Sequence, residues 1–99
     1  MQFTDSVLKY IKPENEAAFW SMRANIFCRN NMLDSCAANY RHAIELDPDM
    51  NIIYNHLGRV YKEMGEKDKA IEYLREFIQR EPDSELRPQI RVLLRELTR

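Results

Sequence analysis

The sequence predicts an all-α fold in which antiparallel helix pairs stack into a repeat array closed by a C-terminal helix. Three observations predict it. The 99-residue chain holds only two glycines, and no stretch alternates between polar and apolar residues for long enough to form a strand. The dipeptide Pro48-Asp49 also recurs as Pro82-Asp83, and a recurrence after about 34 residues is typical of stacked helical repeats.

Further residues match at the same spacing. When the sequence is aligned with itself at an offset of 34 residues, small residues align with small ones, such as Ala24 with Gly58. Aromatic residues align with aromatic ones, such as Trp20 with Tyr54 and Phe27 with Tyr61. We therefore predict two repeat units, at 17–50 and 51–84, within a single domain that spans 1–99.

Each unit divides into two helices. In the second unit, apolar residues at helical spacing run up to Gly65, which tolerates the left-handed conformation that ends many helices. A second apolar series follows from Ala70 and stops before Pro82. The first unit repeats this pattern around the break at Asn30-Asn31.

Single helices are predicted at the two ends. A short amphipathic helix over 3–12 carries Phe3, Val7, Tyr10 and Ile11. A longer one over 85–99 allows Pro88 in its first turn and carries Leu86, Ile90, Leu93, Leu94 and Leu97. Because a stacked pair leaves its outer faces open, we expect both end helices to cover apolar surface.

The second unit resembles a tetratricopeptide repeat in its large, small and breaking residues, which are Tyr54, Leu57, Gly58, Tyr61, Gly65, Ala70, Leu74, Phe77 and Pro82. The first unit is a divergent copy, in which Arg23, Asn31 and Cys36 replace the usual apolar residue, glycine and alanine. The resemblance implies right-handed stacking, with Gly58 facing Ala70 at a close helix crossing. It also implies a concave groove, lined by the first helix of each pair, that binds a segment of another protein.

Composition excludes several classes of function. Lys plus Arg total 15 and Asp plus Glu total 16, and this balance argues against a nucleic-acid partner, which would favour a basic excess. No apolar run approaches the ~20 residues of a membrane span, and the absence of a secretion signal predicts a cytoplasmic protein. The chain shows no catalytic motif, metal-ligand spacing or cofactor loop, so we predict a non-enzyme without cofactor or metal. Cys28 and Cys36 are predicted to be free thiols, since the helical register places them on different faces.

The predicted groove contains side chains that packing does not require. They are Ser21, Asn25 and Arg29 in the first unit, and Asn55, His56, Arg59 and Lys62 in the second. Asparagine can donate to and accept from a peptide backbone, whereas arginine and lysine favour acidic groups or a C-terminal carboxylate. We therefore predict a non-catalytic adaptor or scaffold that binds a peptide segment of a partner protein.

Two alternatives stay open at this point. The terminal helices could drive self-association, giving a homodimer with a structural or assembly role. Related helical repeats also read RNA, and the last helix carries Arg87, Arg91, Arg95 and Arg99 at four-residue intervals. The balanced net charge favours the protein-binding interpretation over RNA, and the arginines also suit a solvated face near the negative end of a helix.

Overall fold

The computed structural model describes Lys12 and residues 15–99, and this part of the chain forms helices joined by short turns, without a strand. Its five helices are α1 (Glu16–Arg29), α2 (Leu33–Leu46), α3 (Ile52–Glu63), α4 (Lys67–Arg80) and α5 (Arg87–Leu97). The all-α prediction is confirmed, while the predicted helix over 3–12 lies outside the described residues. None of the described helices is long and apolar enough to cross a membrane.

The turns within the two helix pairs have the same geometry. Asn31 and Gly65 both adopt positive φ angles, 59° and 79° respectively. Met32 donates its N–H to the carbonyl of Phe27 at 2.9 Å, and Glu66 donates to Tyr61 at the same distance. Asparagine often replaces glycine in this left-handed position, so Asn31 ends α1 in the same way that Gly65 ends α3.

The close crossing predicted between α3 and α4 is confirmed. A Cβ atom on Gly58 would lie 3.3 Å from the carbonyl oxygen of Ala70 and 2.5 Å from the Cγ of Leu74. Ala70 and Leu74 are both fully buried. A side chain at position 58 would therefore collide with the side chain of Leu74 and press against the backbone of α4.

The core consists of two clusters. The first fills the space among α1, α2 and α3 around residues such as Ala24, Tyr40 and Leu57. The second joins α3, α4 and α5 through Tyr54, Leu74, Phe77 and Ile90. Ile90 is fully buried, and the flanking leucines of α5 pack against the same cluster, so α5 covers the open side of the second helix pair.

The prediction of free thiols is wrong, because a disulfide joins Cys28 to Cys36. The prediction considered the register of each helix separately, whereas the turn at Asn31 folds the start of α2 back over the end of α1. The two Cα atoms consequently lie 5.3 Å apart, within the usual range for a disulfide. The predicted cytoplasmic location does not account for this bond, since disulfides persist mainly in oxidising compartments.

Candidate functional site

The predicted groove residues lie on α1 and α3, the first helix of each pair. Asn25 and Arg29 are exposed and Ser21 is partly buried on α1. On α3, His56, Arg59 and Lys62 are partly buried. Asn55 differs from the prediction, because its side chain is only 4% exposed and does not form part of the accessible surface.

Tyr40 of α2 connects the two sets, although sequence reasoning treated it only as a packing residue. Its hydroxyl donates a hydrogen bond to the Oδ1 of Asn25, and its ring stacks on His56 with centroids 5.4 Å apart and planes 25° apart. Tyr40 is 2% exposed. A buried tyrosine requires a partner for its hydroxyl, and that requirement was the available signal that Tyr40 reaches a polar residue.

Asn55 holds Arg59 in place. The Nε of Arg59 donates to the Oδ1 of Asn55 at 3.0 Å, one helical turn away. Among the described residues, no hydrogen bond or ion pair involves the terminal guanidinium nitrogens of Arg59. The buried amide therefore fixes the direction of the guanidinium and leaves its outer donors available.

The electrostatics of His56 and Tyr40 follow from their burial. Partial burial, followed by the positive charge of Arg59, lowers the pKa of His56 below its usual value. Burial raises the pKa of the Tyr40 hydroxyl. At neutral pH the imidazole is consequently neutral, and the tyrosine keeps its proton and donates a hydrogen bond to Asn25.

The remaining predicted residues are less closely connected. Asn25 and Arg29 share a shallow depression on α1 with Met22 and Ile26. In the described part of the chain, the side chains of Ser21 and Lys62 make no hydrogen bond with the other groove residues. A larger depression lies elsewhere, between α4 and Thr98 after α5, and is lined by Asp68, Ile71, Glu72, Arg75, Glu76 and Gln79.

Comparison with family models agrees with this geometry. Residues 24–65 match a model described as TPR repeat, and residues 53–84 match one described as Tetratricopeptide repeat. The chain belongs to the tetratricopeptide repeat family. A comparison with curated proteins gave no match.

As a tetratricopeptide repeat protein, the chain carries a fold that generally serves as a non-enzymatic module for protein–protein interaction. Both family matches include α3, and together they extend from the second half of α1 to the end of α4. Across residues 12 and 15–99, no group of three or more histidine, cysteine or acidic side chains could hold a metal ion. The candidate site of this repeat protein is thus a set of hydrogen-bond donors and cations.

Proposed function

We propose that this protein binds a peptide segment of a partner across the face formed by α1 and α3, and that the segment carries an acidic group. The observation that carries the proposal is the continuous contact from Asn25 through Tyr40 to His56. It links the exposed Asn25 of α1 to the partly buried His56 of α3 through the buried ring of Tyr40.

Asn25 is the proposed contact to the peptide backbone. Its Oδ1 accepts the Tyr40 hydrogen bond, which orients the amide so that the nitrogen remains the free end. An oriented amide loses little freedom on binding, and it can donate to a peptide carbonyl. The exposed position of Asn25 leaves that nitrogen accessible.

Arg59 is the proposed contact to the acidic group. Asn55 holds its Nε, so the outer nitrogens can receive a carboxylate in a charge-assisted hydrogen bond. His56 lies beside Arg59 on α3, while Arg29 and Lys62 add positive charge farther along the face. Part of the affinity is therefore electrostatic and decreases as salt concentration rises.

The experiment begins with peptides that the 99-residue protein selects from a displayed library. Binding of the best peptide is then measured for Asn25→Ala, Arg59→Ala and the control Arg75→Ala, which alters an exposed arginine on α4. We expect Arg59→Ala to bind about 10- to 100-fold more weakly, as the loss of a hydrogen bond to a charged group would cause. Asn25→Ala loses a hydrogen bond to a neutral carbonyl and should bind about 2- to 10-fold more weakly. The control should bind like the parent.

A different result would locate the interaction elsewhere. If peptide binding is lost only in the Arg75→Ala variant, the binding surface is the depression beside α4. Circular dichroism of each variant shows whether it is folded, so that a loss of binding is not confused with a loss of structure.

Self-association through α5 is the weaker alternative. The apolar side of that helix, including Ile90 and the partly buried Leu93 and Leu94, packs against α3 and α4 of its own chain. A dimer formed by this helix would require it to leave that cluster.

A further inference from the structure

The depression beside α4 runs along that helix and ends next to α5. Its lining extends from Asp68 to Gln79 on α4 and includes Thr98, which directly follows the last residue of α5. At the helical rise per residue, the distance from Asp68 to Gln79 is about 16 Å. The depression has a volume of about 700 Å³. Its length matches about three turns of a helix lying along α4.

The 34-residue repeat identifies the counterpart of this depression at the junction between the two helix pairs. A smaller depression of about 260 Å³ lies there, and its lining on α2 consists of Asp34, Ala37 and Arg41. The residues 34 positions later are Asp68, Ile71 and Arg75, which line the depression beside α4. Met64 of the smaller depression corresponds in the same way to Thr98. The two depressions are therefore the same place in successive repeats.

At the junction between the two pairs, α4 occupies this place. Glu66 and Lys69, at the beginning of α4, line the smaller depression together with α2. Ala37 is only 2% exposed there, whereas its larger counterpart Ile71 is partly exposed. Within the described part of the chain, no helix lies beside α4 and α5 as α4 lies beside α2 and α3.

The side of α5 next to this place is exposed as well. Val92 is the counterpart of Gly58, which lies in the close crossing with α4. Gly58 is buried, whereas Val92 is 49% exposed. Arg95 is exposed, whereas its counterpart Tyr61 is 2% exposed. Val92, Arg95 and Thr98 are spaced three apart and share one side, so α5 exposes the side that α3 uses to pack on α4.

The charges of the depression favour a basic occupant. Asp68, Glu72 and Glu76 are spaced four apart, so their carboxylates form an acidic row along α4. Arg75 supplies one positive charge against these three negative charges. Across residues 12 and 15–99, no ion pair involves Asp68 or Glu72. Like charges one turn apart destabilise a helix, and cations at the same spacing complement the row.

We propose that the depression beside α4 and the adjoining side of α5 bind an amphipathic helix of a partner protein, with lysine or arginine at four-residue intervals. The bound helix lies beside α4 and α5 as α4 lies beside α2 and α3. Its cations face the acidic row, and its apolar side contacts Ile71 and Val92. Because this surface differs from the face formed by α1 and α3 and has the opposite charge preference, the proposal does not depend on the proposed peptide-binding function.

A second copy of the chain is a poorer occupant. The arginines of α5 recur every four residues, and their charge suits the acidic row. The apolar side of α5, however, packs on the core of its own chain through Ile90, Leu93 and Leu94. A second copy therefore offers the cations without an apolar helix face to cover Ile71.

The probe is a peptide selected from a displayed library of helices of about 15 residues, or four turns. Selection uses the 99-residue protein with the substitution Arg59→Ala, which removes the proposed acidic-peptide contact on α3. We expect the selected peptides to carry lysine or arginine at four-residue intervals beside an apolar side. Their dissociation constants should lie in the micromolar range, since the surface is shallow.

Binding of the best peptide is then measured by fluorescence anisotropy. Val92→Asp should weaken it about tenfold or more, because a carboxylate would lie against the apolar side of the peptide. Glu72→Lys should have an effect of similar size, since it reverses the centre of the acidic row. Ile52→Asp and Glu63→Lys are matched controls at exposed positions at the two ends of α3, and they should bind like the parent.

An NMR titration locates the bound peptide in protein labelled at isoleucine methyl groups. The Ile71 signal should shift as peptide is added, whereas the Ile52 signal should stay in place. Circular dichroism of each variant shows that it is folded, so that weaker binding is not confused with unfolding.

Three results would overturn the proposal. The first is a selection that yields no peptide or yields peptides without the row of cations. The second is peptide binding that ignores both Val92→Asp and Glu72→Lys and leaves the Ile71 signal unshifted. The third is a parent protein that dimerises by light scattering and loses the dimer on Val92→Asp, which would assign the surface to a second copy.

Discussion

The guanidinium of Arg80 lies over the ring of Tyr54, with its Cζ atom 4.3 Å from the ring centroid. The same group donates from Nη1 to the carbonyl of Pro48 at 2.8 Å and to the Oδ1 of Asn51 at 3.2 Å. Its Nε pairs with Glu76 at 3.0 Å. One side chain at the end of α4 thereby binds the turn that connects the two helix pairs.

We expect Arg80→Met to lower the free energy of unfolding by about 1–3 kcal/mol, because three hydrogen bonds from a charged donor and one cation–π contact are lost. Urea denaturation followed by circular dichroism measures the change. Arg75→Met, which removes an exposed arginine of the same helix, should change stability by less than about 0.5 kcal/mol. Equal losses in the two variants would show that the Arg80 contacts contribute no stability.

Gly58→Ala tests the close crossing of α3 and α4. Alanine is the better helix former by about 1 kcal/mol, but its Cβ would meet the Cγ of Leu74 at 2.5 Å. Because Leu74 is fully buried, it cannot move aside, and overpacking typically costs about 1–3 kcal/mol. We expect a net loss on the order of 1 kcal/mol in thermal or urea unfolding.

The control for Gly58→Ala is the same substitution in a Leu74→Ala background. The obstructing side chain is then absent, and the alanine at 58 should stabilise by up to about 1 kcal/mol through its helix propensity. A destabilisation of the same size in both backgrounds would rule out the contact with Leu74 as the cause.

Reduction of the Cys28–Cys36 bond should lower stability by about 2–3 kcal/mol, since the bond closes a short loop and restricts the unfolded chain. The measurement is urea denaturation with and without dithiothreitol. A Cys28→Ala/Cys36→Ala variant should resemble the reduced protein and should not respond to the reductant. A parent protein that is equally stable in both conditions would contradict this expectation.

Stability should also fall as the solution is acidified through the titration of His56. Burial and Arg59 hold its pKa in the folded protein below the usual 6.5, so the unfolded chain binds more protons between these two values. Stability contributed by this group is therefore present above pH 6.5 and is lost as pH decreases towards the folded-state pKa. In His56→Gln the decline between pH 7 and pH 5 should be smaller.

An NMR titration of the His56 ring provides a direct check, with an expected midpoint below 6.5 in the folded protein. A midpoint above that value would mean that the imidazole gains a favourable partner instead of losing solvent. The pH dependence of stability should then have the opposite sign.

The sequence predicted the helices well because breakers and repeat spacing are local signals. Gly65 and Asn31 end their helices through a backbone conformation that few residues tolerate, and the 34-residue offset then fixes the pairing. The disulfide was missed for a physical reason: the distance between Cys28 and Cys36 depends on how the turn folds one helix over the next.

The site was only partly predictable for a similar reason. The register of the first helix in each pair was enough to select Asn25 and Arg59 as candidates. The burial of Asn55 depends on packing against its neighbours, and its contact with Arg59 depends on a side-chain rotamer. The role of Tyr40 depends on a side chain that reaches from α2 to residues on two other helices.

The described helices pack mainly on their neighbours in sequence, α1 on α2, α2 on α3, α3 on α4 and α4 on α5. Contacts of this kind close only short loops, so little chain entropy is lost before the contacts form. We expect rapid folding, in the microsecond to millisecond range that is usual for proteins dominated by local contacts. A ribosome-bound chain could accordingly form the α1–α2 hairpin before α5 has been synthesised.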